Sequence, residues 1–405
     1  MSESKRYFRP LLILVKNSVV VAAVSYLLTI TLANYLGPAD FGLYAHVLIV
    51  SSVVSIFVNF GTEQTAAVSF SRRNDIRIVF EEVFYTRAMV LIPTLGMVAF
   101  IYYQEVQILF FVFCLTLTNF NLGFLYEVMR NNERYSYIHL LERVFYVLLA
   151  FVLIYTNRLN LYALFTISFF FAAVSIFWQF NDNKKYISCL RPDLVNGSVK
   201  VLYDNVPLVV IALSTYAYGG FSRLVLERQL GSESLGIYSA GWQLIAIGTI
   251  FQTQISRIWR LDITESVQSN NWLKLRGSLL SYVLISSIPM LLLCLFFYGN
   301  SRLVVSILYT ESYAQLATIL PILGLYFLVI NLSGIVDMLW VALRRNNTFL
   351  LINLISGCAF LIVLIYFSKS MSMVHFAVSA VSAHLFTALL LATVWVHYFR
   401  QRIEK

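Results

Sequence analysis

Long apolar segments separated by short polar links follow one another along the whole chain of 405 residues. A stretch of about 20 mostly apolar residues is long enough to cross the hydrocarbon core of a bilayer as a helix. The pattern predicts twelve such spans, at residues 12–36, 42–62, 83–103, 107–129, 137–156, 160–180, 205–229, 235–258, 279–299, 316–341, 348–367 and 373–398. The expected fold class is therefore an all-α integral membrane protein.

The composition supports this class. Hydrophobic residues make up 59% of the chain and charged residues 12%, with a mean hydropathy of +0.76. Soluble globular proteins have about 45–50% apolar and about 25% charged residues. The four cysteines form no C-x-x-C pair, so neither a zinc site nor a disulfide framework is expected. The first apolar run is too long for a cleaved signal peptide and is predicted to be the first span.

A polar stretch divides the spans into two sets of six. We expect an N-terminal six-helix lobe at 1–185, a cytoplasmic linker at 186–203 and a C-terminal six-helix lobe at 204–405. The net charge of +9 is spread over many short links rather than gathered in one patch, which disfavours a nucleic-acid partner.

The basic residues predict the orientation, because the short loops of the cytoplasmic side are rich in Lys and Arg. With the N-terminus inside, 22 of them fall on the cytoplasmic side, at positions 5, 6, 9, 16, 72, 73, 77, 130, 134, 184, 185, 191, 200, 257, 260, 274, 276, 344, 345, 400, 402 and 405. Four fall outside, at positions 158, 228, 302 and 369. Both termini are therefore expected in the cytoplasm.

A nine-residue motif after the first span recurs half a chain later. Leu36–Tyr44 reads LGPADFGLY, and Leu230–Tyr238 reads LGSESLGIY. Each copy is interpreted as a helix end, a tight turn and a helix start. The structural turn residues are then Gly37, Gly42, Gly231 and Gly236. A repeat of half the chain predicts two similar bundles, and an even number of spans in each makes them parallel repeats around a central cavity.

Ionisable residues inside predicted spans are candidate site residues, because each is costly in hydrocarbon. The cations are Arg87, Arg143, Arg223 and Arg228, as candidate substrate-binding residues. The acids are Glu127, Glu142, Asp204 and Asp337, as candidate ion-coupling residues. Structural pairing is the alternative, above all for Arg223 and Glu227, which are four residues apart on one helix face. No nucleotide-binding loop, nucleophile elbow or metal-ligand spacing occurs, so neither catalytic residues nor a metal site are expected.

Small polar residues also follow one face of several spans. The faces comprise Ser18, Ala22, Ser25 and Thr29, then Ser52, Ser55, Asn59 and Glu63, and the glutamines Gln243, Gln252 and Gln254. Such residues either tighten helix packing or line a wet cavity. Asn205 and Pro207 open the seventh span, where proline predicts a bend.

Twelve spans in two six-span halves, with LGPADFGLY after the first, resemble the polysaccharide repeat-unit flippases. These Wzx-type O-antigen transporters belong to the multidrug/oligosaccharidyl-lipid/polysaccharide exporter superfamily. The resemblance implies a MATE-like fold and an undecaprenyl-pyrophosphate-linked oligosaccharide as substrate. The substrate would move from the inner to the outer leaflet of the bacterial inner membrane by alternating access. It also implies no cofactor, a proton or sodium gradient as energy source, and a role in O-antigen, lipopolysaccharide or other surface polysaccharide biosynthesis. The implied partners are membrane lipids, a polysaccharide polymerase and a chain-length regulator.

Three alternatives remain open at this point. A drug or cation exporter of the same superfamily would share the fold but depend on acidic residues. A polysaccharide polymerase or ligase would carry catalytic residues on a long outer loop, and the longest outer link here is only about 299–316. A membrane scaffold would not need buried charges.

Overall fold

The computed structural model describes residues 3–73, 75–129, 131–187, 195–269, 271–343 and 346–403. These residues form helices and no strand. The α-helices are α1 Glu3–Asn59, α2 Thr62–Arg73, α3 Ile76–Ile101, α4 Val106–Thr116, α5 Gly123–Val128, α6 Asn132–Tyr155, α7 Leu161–Asp182, α8 Val195–Tyr216, α9 Ser222–Gln268, α10 Trp272–Leu308, α11 Leu316–Leu343, α12 Asn346–Phe367 and α13 Met373–Ile403. Three 3₁₀ turns lie at Leu117–Phe120, Glu311–Tyr313 and Ser368–Ser370, and a π-helical turn lies at Ala217–Phe221.

The predicted membrane class is confirmed. Ten continuous helical stretches within the described ranges are long and apolar enough to cross a membrane. Two of them, Val19–Asn59 and Ser198–Ala246, are 41 and 49 residues long, about twice the length that one crossing needs. The first overlaps the predicted spans 12–36 and 42–62 and the second overlaps 205–229 and 235–258, so ten stretches account for the twelve predicted spans. Residues 195–203, which belong to the predicted linker, are helical and begin α8; residues 188–194 lie outside the described ranges.

The two double-length helices break at the first glycine of each repeat. Gly37 in α1 has φ 73° and ψ 171°, and Gly231 in α9 has φ 85° and ψ 171°. This backbone region is open essentially to glycine alone. Two equal breaks at equivalent positions show that the sequence repeat is also a repeat in backbone conformation.

The chain divides into two compact units. Unit 1 comprises residues 1–31 and 47–209, and unit 2 comprises residues 32–46 and 210–405. The short segment 32–46, which carries the first glycine motif, thus belongs with the second half of the chain. The sequence-based division at 186–203 did not anticipate this exchange.

Unit 1 is built around an apolar cluster where α2, α3, α5 and α6 meet. Val79 and Phe80 of α3 pack with Leu125 and Tyr126 of α5 and Ile138 of α6, and all five are buried. The helices α6 and α7 pack side by side, and α4 packs on α7. Phe111 of α4 stacks on Phe165 of α7 with ring centroids 4.5 Å apart.

Unit 2 is organised around α11, which packs against α9, α10 and α13. Its apolar cluster includes Trp340 of α11, Trp395 of α13 and Tyr282 of α10. Both indole N–H groups are satisfied inside the cluster: Trp340 donates to the carbonyl of Leu391 at 3.0 Å, and Trp395 donates to that of Leu339 at 3.1 Å.

Segment 32–46 is attached to unit 2 by specific hydrogen bonds near the end of α10. The Asn34 amide donates to the Leu308 carbonyl at 2.8 Å, and its side-chain oxygen accepts from the Thr310 N–H at 3.0 Å. The Tyr313 hydroxyl donates to the Ala33 carbonyl at 2.9 Å. These bonds satisfy backbone groups at the helix end, which would otherwise be unpaired in the membrane.

The two glycine motifs meet inside unit 2. A Cβ on Gly42 would overlap the carbonyl oxygen of Ser232, and a Cβ on Gly236 would overlap that of Pro38. Neither Gly42 nor Gly236 has a positive φ. The sequence-based interpretation made all four glycines turn residues. The structure instead gives the turn to Gly37 and Gly231, and Gly42 and Gly236 allow close contact between helices.

Candidate functional site

Arg87 is the most completely bonded cation of the predicted substrate-binding set. Its side chain is 2% exposed. Nε donates to the Thr62 hydroxyl at 3.2 Å, and Nη1 donates to the carbonyls of Asn119 and Asn121 at 2.6 and 3.0 Å. Nη2 donates to the Glu63 carboxylate at 3.2 Å. The ion-pair partner is thus Glu63, rather than the nearer sequence neighbours in α3.

These bonds hold together two interrupted helices. The predicted fourth span is broken between α4 and α5. At this break the carbonyls of Asn119 and Asn121 lie outside a regular α-helix and accept from Arg87 instead. The second predicted span is interrupted at Phe60 and Gly61, whose φ values are 42° and 69°. Irregular backbone at membrane depth requires internal hydrogen-bond partners, and the Arg87 guanidinium supplies them at the break between α4 and α5. This placement favours a structural role, so we remove Arg87 from the substrate-binding set.

Arg143 on α6 is bonded much more sparsely. Its Nε donates to the Ser25 hydroxyl of α1 at 2.6 Å, and its guanidinium carbon lies 5.2 Å from the centre of the Tyr146 ring. The neighbouring Glu142 lies 3.5 Å from His139 instead. In the part of unit 1 that the structure describes, Arg143 forms no ion pair, and it remains a candidate.

Arg223 on α9 is a predicted substrate-binding cation that belongs to unit 2. Its Nε donates to the Gly219 carbonyl at 2.7 Å, and its guanidinium carbon lies 5.6 Å from the centre of the Trp242 ring. Its two terminal nitrogens form no hydrogen bond to any described residue. Arg223 therefore carries a partly buried charge with free donors, which an incoming anion could use.

A π-helical turn directly before Arg223 orients its side chain. In the segment Ala217–Phe221 the backbone ladder is wider by one residue, and the Gly219 carbonyl accepts the bond from Arg223. Such turns are frequent at functional sites. A Cβ on Gly220 would overlap the Tyr216 ring, so the local sequence AYGGF is fitted to the turn.

Aromatic side chains surround the same position. The Trp242 ring lies edge-on to Tyr326 with centroids 4.7 Å apart, and the Tyr326 hydroxyl is 2.6 Å from His384 Nδ1. His384 stacks on Tyr218 at 5.1 Å. The sequence analysis did not select this cluster, because its members come from four helical segments and have no common spacing. The two adjacent glycines of AYGGF inside a span were the available signal.

Glu227 does not pair with Arg223, although the spacing predicted that pair. Its carboxylate is instead bonded to Nδ1 of His46, which lies in segment 32–46. The side chains of His46 and Glu227 are 12% and 21% exposed. The alternative of a structural Arg223–Glu227 pair is therefore not found, because His46, which is distant in sequence but near in unit 2, binds the carboxylate. Arg228, the next cation, is exposed.

The four predicted ion-coupling acids are divided between the two units: Glu127, Glu142 and Asp204 belong to unit 1, and Asp337 belongs to unit 2. Glu127, Asp204 and Asp337 are exposed. Glu127 lies at the end of α5 and Asp337 toward the end of α11, whereas Asp204 lies near the middle of α8. Glu142 lies near the middle of α6, with its carboxylate 3.5 Å from His139 Nδ1. Within the described ranges, no group of His, Cys, Asp or Glu side chains is arranged to hold a metal ion.

Several of the predicted polar faces serve packing. Thr29 and Ser52 bond back to carbonyls of their own helix at 2.9 and 2.8 Å. Gln252 and Ser256 both contact the buried Tyr282 hydroxyl. Asn205 donates to the Phe60 carbonyl at 2.9 Å, supporting the break described above. The side chains of Ser18 and Gln254 lie outside the described part of the structure.

Comparison with solved structures shows the fold. A multidrug resistance MATE family transporter of the MOP superfamily, in an inward-facing conformation, matches with a TM-score of 0.72, 13% identity and coverage of 95% of this chain and 94% of that chain. The lipid II flippase MurJ, in an inward closed conformation, matches with a TM-score of 0.71, 13% identity and coverage of 95% and 87%. A MOP superfamily transporter from Pyrococcus furiosus, described as having a binding pocket of reverse polarity, matches with a TM-score of 0.62, 13% identity and coverage of 98% and 94%.

Sequence comparison gives the family. A search of curated proteins finds no match. A protein-family profile described as "Polysaccharide biosynthesis protein" matches residues 11–257, which is more than half of the chain. With ten helical stretches in its described residues that are long and apolar enough to cross a membrane, and with a MATE-like fold, the chain is a multi-pass membrane protein that belongs to the polysaccharide biosynthesis protein family.

Proposed function

We propose that this protein is a flippase that carries an undecaprenyl-pyrophosphate-linked oligosaccharide across the bacterial cytoplasmic membrane. The substrate would be an O-antigen or other surface polysaccharide repeat unit, moved from the cytoplasmic to the periplasmic leaflet. The family supports a role in polysaccharide biosynthesis, and the fold is shared with transporters, among them a lipid II flippase. The site residues support an anionic head group.

The observation that carries this proposal is that Arg223 is partly buried and forms no ion pair with any described carboxylate. A buried charge without a counter-ion is unfavourable, and an anionic ligand removes that cost. The guanidinium presents a planar fork of N–H donors that matches phosphate oxygens and keeps its charge at any physiological pH. A pyrophosphate head group cannot enter hydrocarbon unaided, so a carrier must supply such a partner on the way.

Substitution at Arg223 tests the proposal in a strain that depends on this protein for surface polysaccharide. Arg223→Ala should keep normal abundance in the membrane, lose surface polysaccharide and accumulate lipid-linked repeat units on the cytoplasmic leaflet. Arg223→Lys should retain partial function, because it keeps the charge and loses the fork. Arg302→Ala is a matched control, since Arg302 is exposed at the end of α10. Normal polysaccharide in Arg223→Ala would remove Arg223 from the pathway.

Arg143 should behave in the same way as Arg223. Its bond to a serine hydroxyl leaves the charge without a carboxylate, whereas the charge of Arg87 is neutralised by Glu63. Arg143→Ala should therefore lower surface polysaccharide at unchanged abundance. Ser25→Ala should have a smaller effect, because it removes one positioning contact and leaves the charge in place.

A drug or cation exporter is the second candidate, and one feature of unit 2 favours it. Asp337 keeps an exposed carboxylate on α11, although α11 packs against three other helices. A cationic drug would use such an acid rather than an arginine. Under this function, Asp337→Asn would raise drug susceptibility and Arg223→Ala would not. Under the flippase proposal, Asp337 is one of the candidates for coupling to a proton or sodium gradient, with Glu127, Glu142 and Asp204.

A further inference from the structure

We propose that His46 controls the charge of Arg223 by holding Glu227 away from it. In this scheme Glu227 is an internal substitute for the pyrophosphate anion. While His46 holds Glu227, Arg223 is free to bind phosphate; when that bond is lost, Glu227 pairs with Arg223 and displaces the anion. The inference rests on the proposed function, since it takes Arg223 as the anion-binding residue.

The first support is the spacing. Arg223 and Glu227 stand four residues apart on α9, a distance at which oppositely charged side chains normally meet on the helix surface. No ion pair joins them in the structure, although both side chains are described. Their Cβ atoms are about 5–6 Å apart at this spacing, so side-chain rotation alone would bring the charges together. No backbone movement is required.

The second support is that each partner is held in a different direction. Arg223 points back along its helix toward Gly219 and the Trp242 ring. Glu227 is bonded to His46, on the segment that unit 2 receives from the first half of the chain. Two contacts thus keep apart a pair that the helix alone would form. The structure shows the arrangement in which Arg223 is available.

The third support is the environment of the three side chains. His46 and Glu227 are largely shielded, and Arg223 is partly buried. Charges in such a place interact more strongly than they would at a water-exposed surface. A carboxylate released one helical turn from Arg223 would therefore compete effectively with a bound phosphate. His46 acts through Glu227 and is a positioning residue.

Binding measurements on the purified full chain in nanodiscs test this. The probe is farnesyl pyrophosphate, with farnesol as the control that lacks phosphate. His46→Ala should weaken probe binding about tenfold, the effect expected of one charge-assisted bond. His46→Gln should bind nearly as well as the wild type, because its amide can still donate to Glu227. Glu227→Gln should bind at least as tightly as the wild type, because the competing charge is gone.

The double variant His46→Ala/Glu227→Gln gives the decisive comparison. Its affinity should return to the wild-type range, since the released side chain no longer carries a charge. Glu233→Gln, an exposed acid on the same helix, is the matched control and should change nothing. A double variant as weak as His46→Ala would overturn the proposal, as would wild-type affinity in His46→Ala. All variants are compared only as folded, monodisperse protein.

A further arm separates this inference from the proposed function. Arg223→Ala should lose binding of farnesyl pyrophosphate. If Arg223→Ala binds normally, Arg223 is not the anion site and the proposed role fails. If Arg223→Ala loses binding while His46→Ala keeps it, the anion site stands and only the control by His46 is refuted.

Discussion

Gly42 and Gly236 occupy equivalent places in the two repeats, and each packs against the carbonyl oxygen four residues before the other. No side chain fits at either position. We expect Gly42→Ala and Gly236→Ala each to lower the free energy of unfolding by about 1–3 kcal/mol, the usual range for overpacking. Thermal unfolding of the purified protein in detergent measures the change.

Gly96→Ala is the matched control for this pair. Gly96 lies inside α3, and a Cβ there would meet no atom within 4 Å. Alanine is the better helix former, so this variant should be unchanged or slightly stabilised. Equal stability of all three alanine variants would contradict the close contact between the motifs.

Substitution of the first glycine of each motif should also reduce the amount of folded protein, for a different reason. Gly37 and Gly231 have open space where a Cβ would lie, but their φ and ψ are accessible essentially to glycine only. Asparagine tolerates the left-handed helical region and not this one. Gly37→Asn should therefore be as damaging as Gly37→Ala, and the same should hold at Gly231. Rescue by asparagine, measured as folded protein in the membrane, would argue for an ordinary left-handed turn.

Arg87 should be required for folding rather than for transport. Arg87→Ala leaves the broken fourth span without donors, at about 1–3 kcal/mol for each unsatisfied buried group. Arg87→Lys should not rescue it, because one ammonium cannot reach Thr62 and both carbonyls. Glu63→Gln should cost less than about 1 kcal/mol, since Glu63 is 49% exposed and that exposure screens the pair.

Membrane abundance and surface polysaccharide, measured together, decide the role of Arg87. The two should fall in parallel in Arg87→Ala and Arg87→Lys. Normal abundance with lost polysaccharide would instead return Arg87 to the substrate-binding set.

The orientation is tested with reporters at the C-terminus. The excess of basic residues in one set of links predicts that both termini are cytoplasmic. A fluorescent protein that folds only in the cytoplasm should be bright when fused after residue 405, and a periplasmic phosphatase fused there should be inactive. The opposite result would reverse the whole topology.

The sequence was sufficient for the elements and for the repeat, because both depend on local signals. Apolar length marked the spans, and the glycine spacing marked two equivalent breaks. The pairing of ionic groups was not accessible in the same way. The partner of Arg87 is Glu63, which comes from the end of another predicted span and stands at no helical spacing from it.

The contacts of Arg223 and Glu227 in unit 2 could not be predicted from local sequence for the same reason. Helical spacing assigned Glu227 to Arg223, and nothing local indicates that His46 takes it, 181 residues away in sequence. The π-helical turn beneath Arg223 was also missed, since a single widened turn does not alter hydropathy. Long-range contacts between polar groups depend on the packing of several helices, and one helix pattern does not encode them.

The attachment of residues 32–46 to unit 2 bears on how the protein is made. Asn34 is synthesised 274 residues before its hydrogen-bond partner Leu308. Proteins are synthesised from the N-terminus, and domains generally fold in that order. Residues 32–46 therefore lie in the bilayer without their hydrogen-bond partners Leu308 and Thr310 until that part of the chain has been inserted. Biogenesis ends with a late docking step, so a truncation before Leu308 should leave the first half of the chain exposed to membrane proteases.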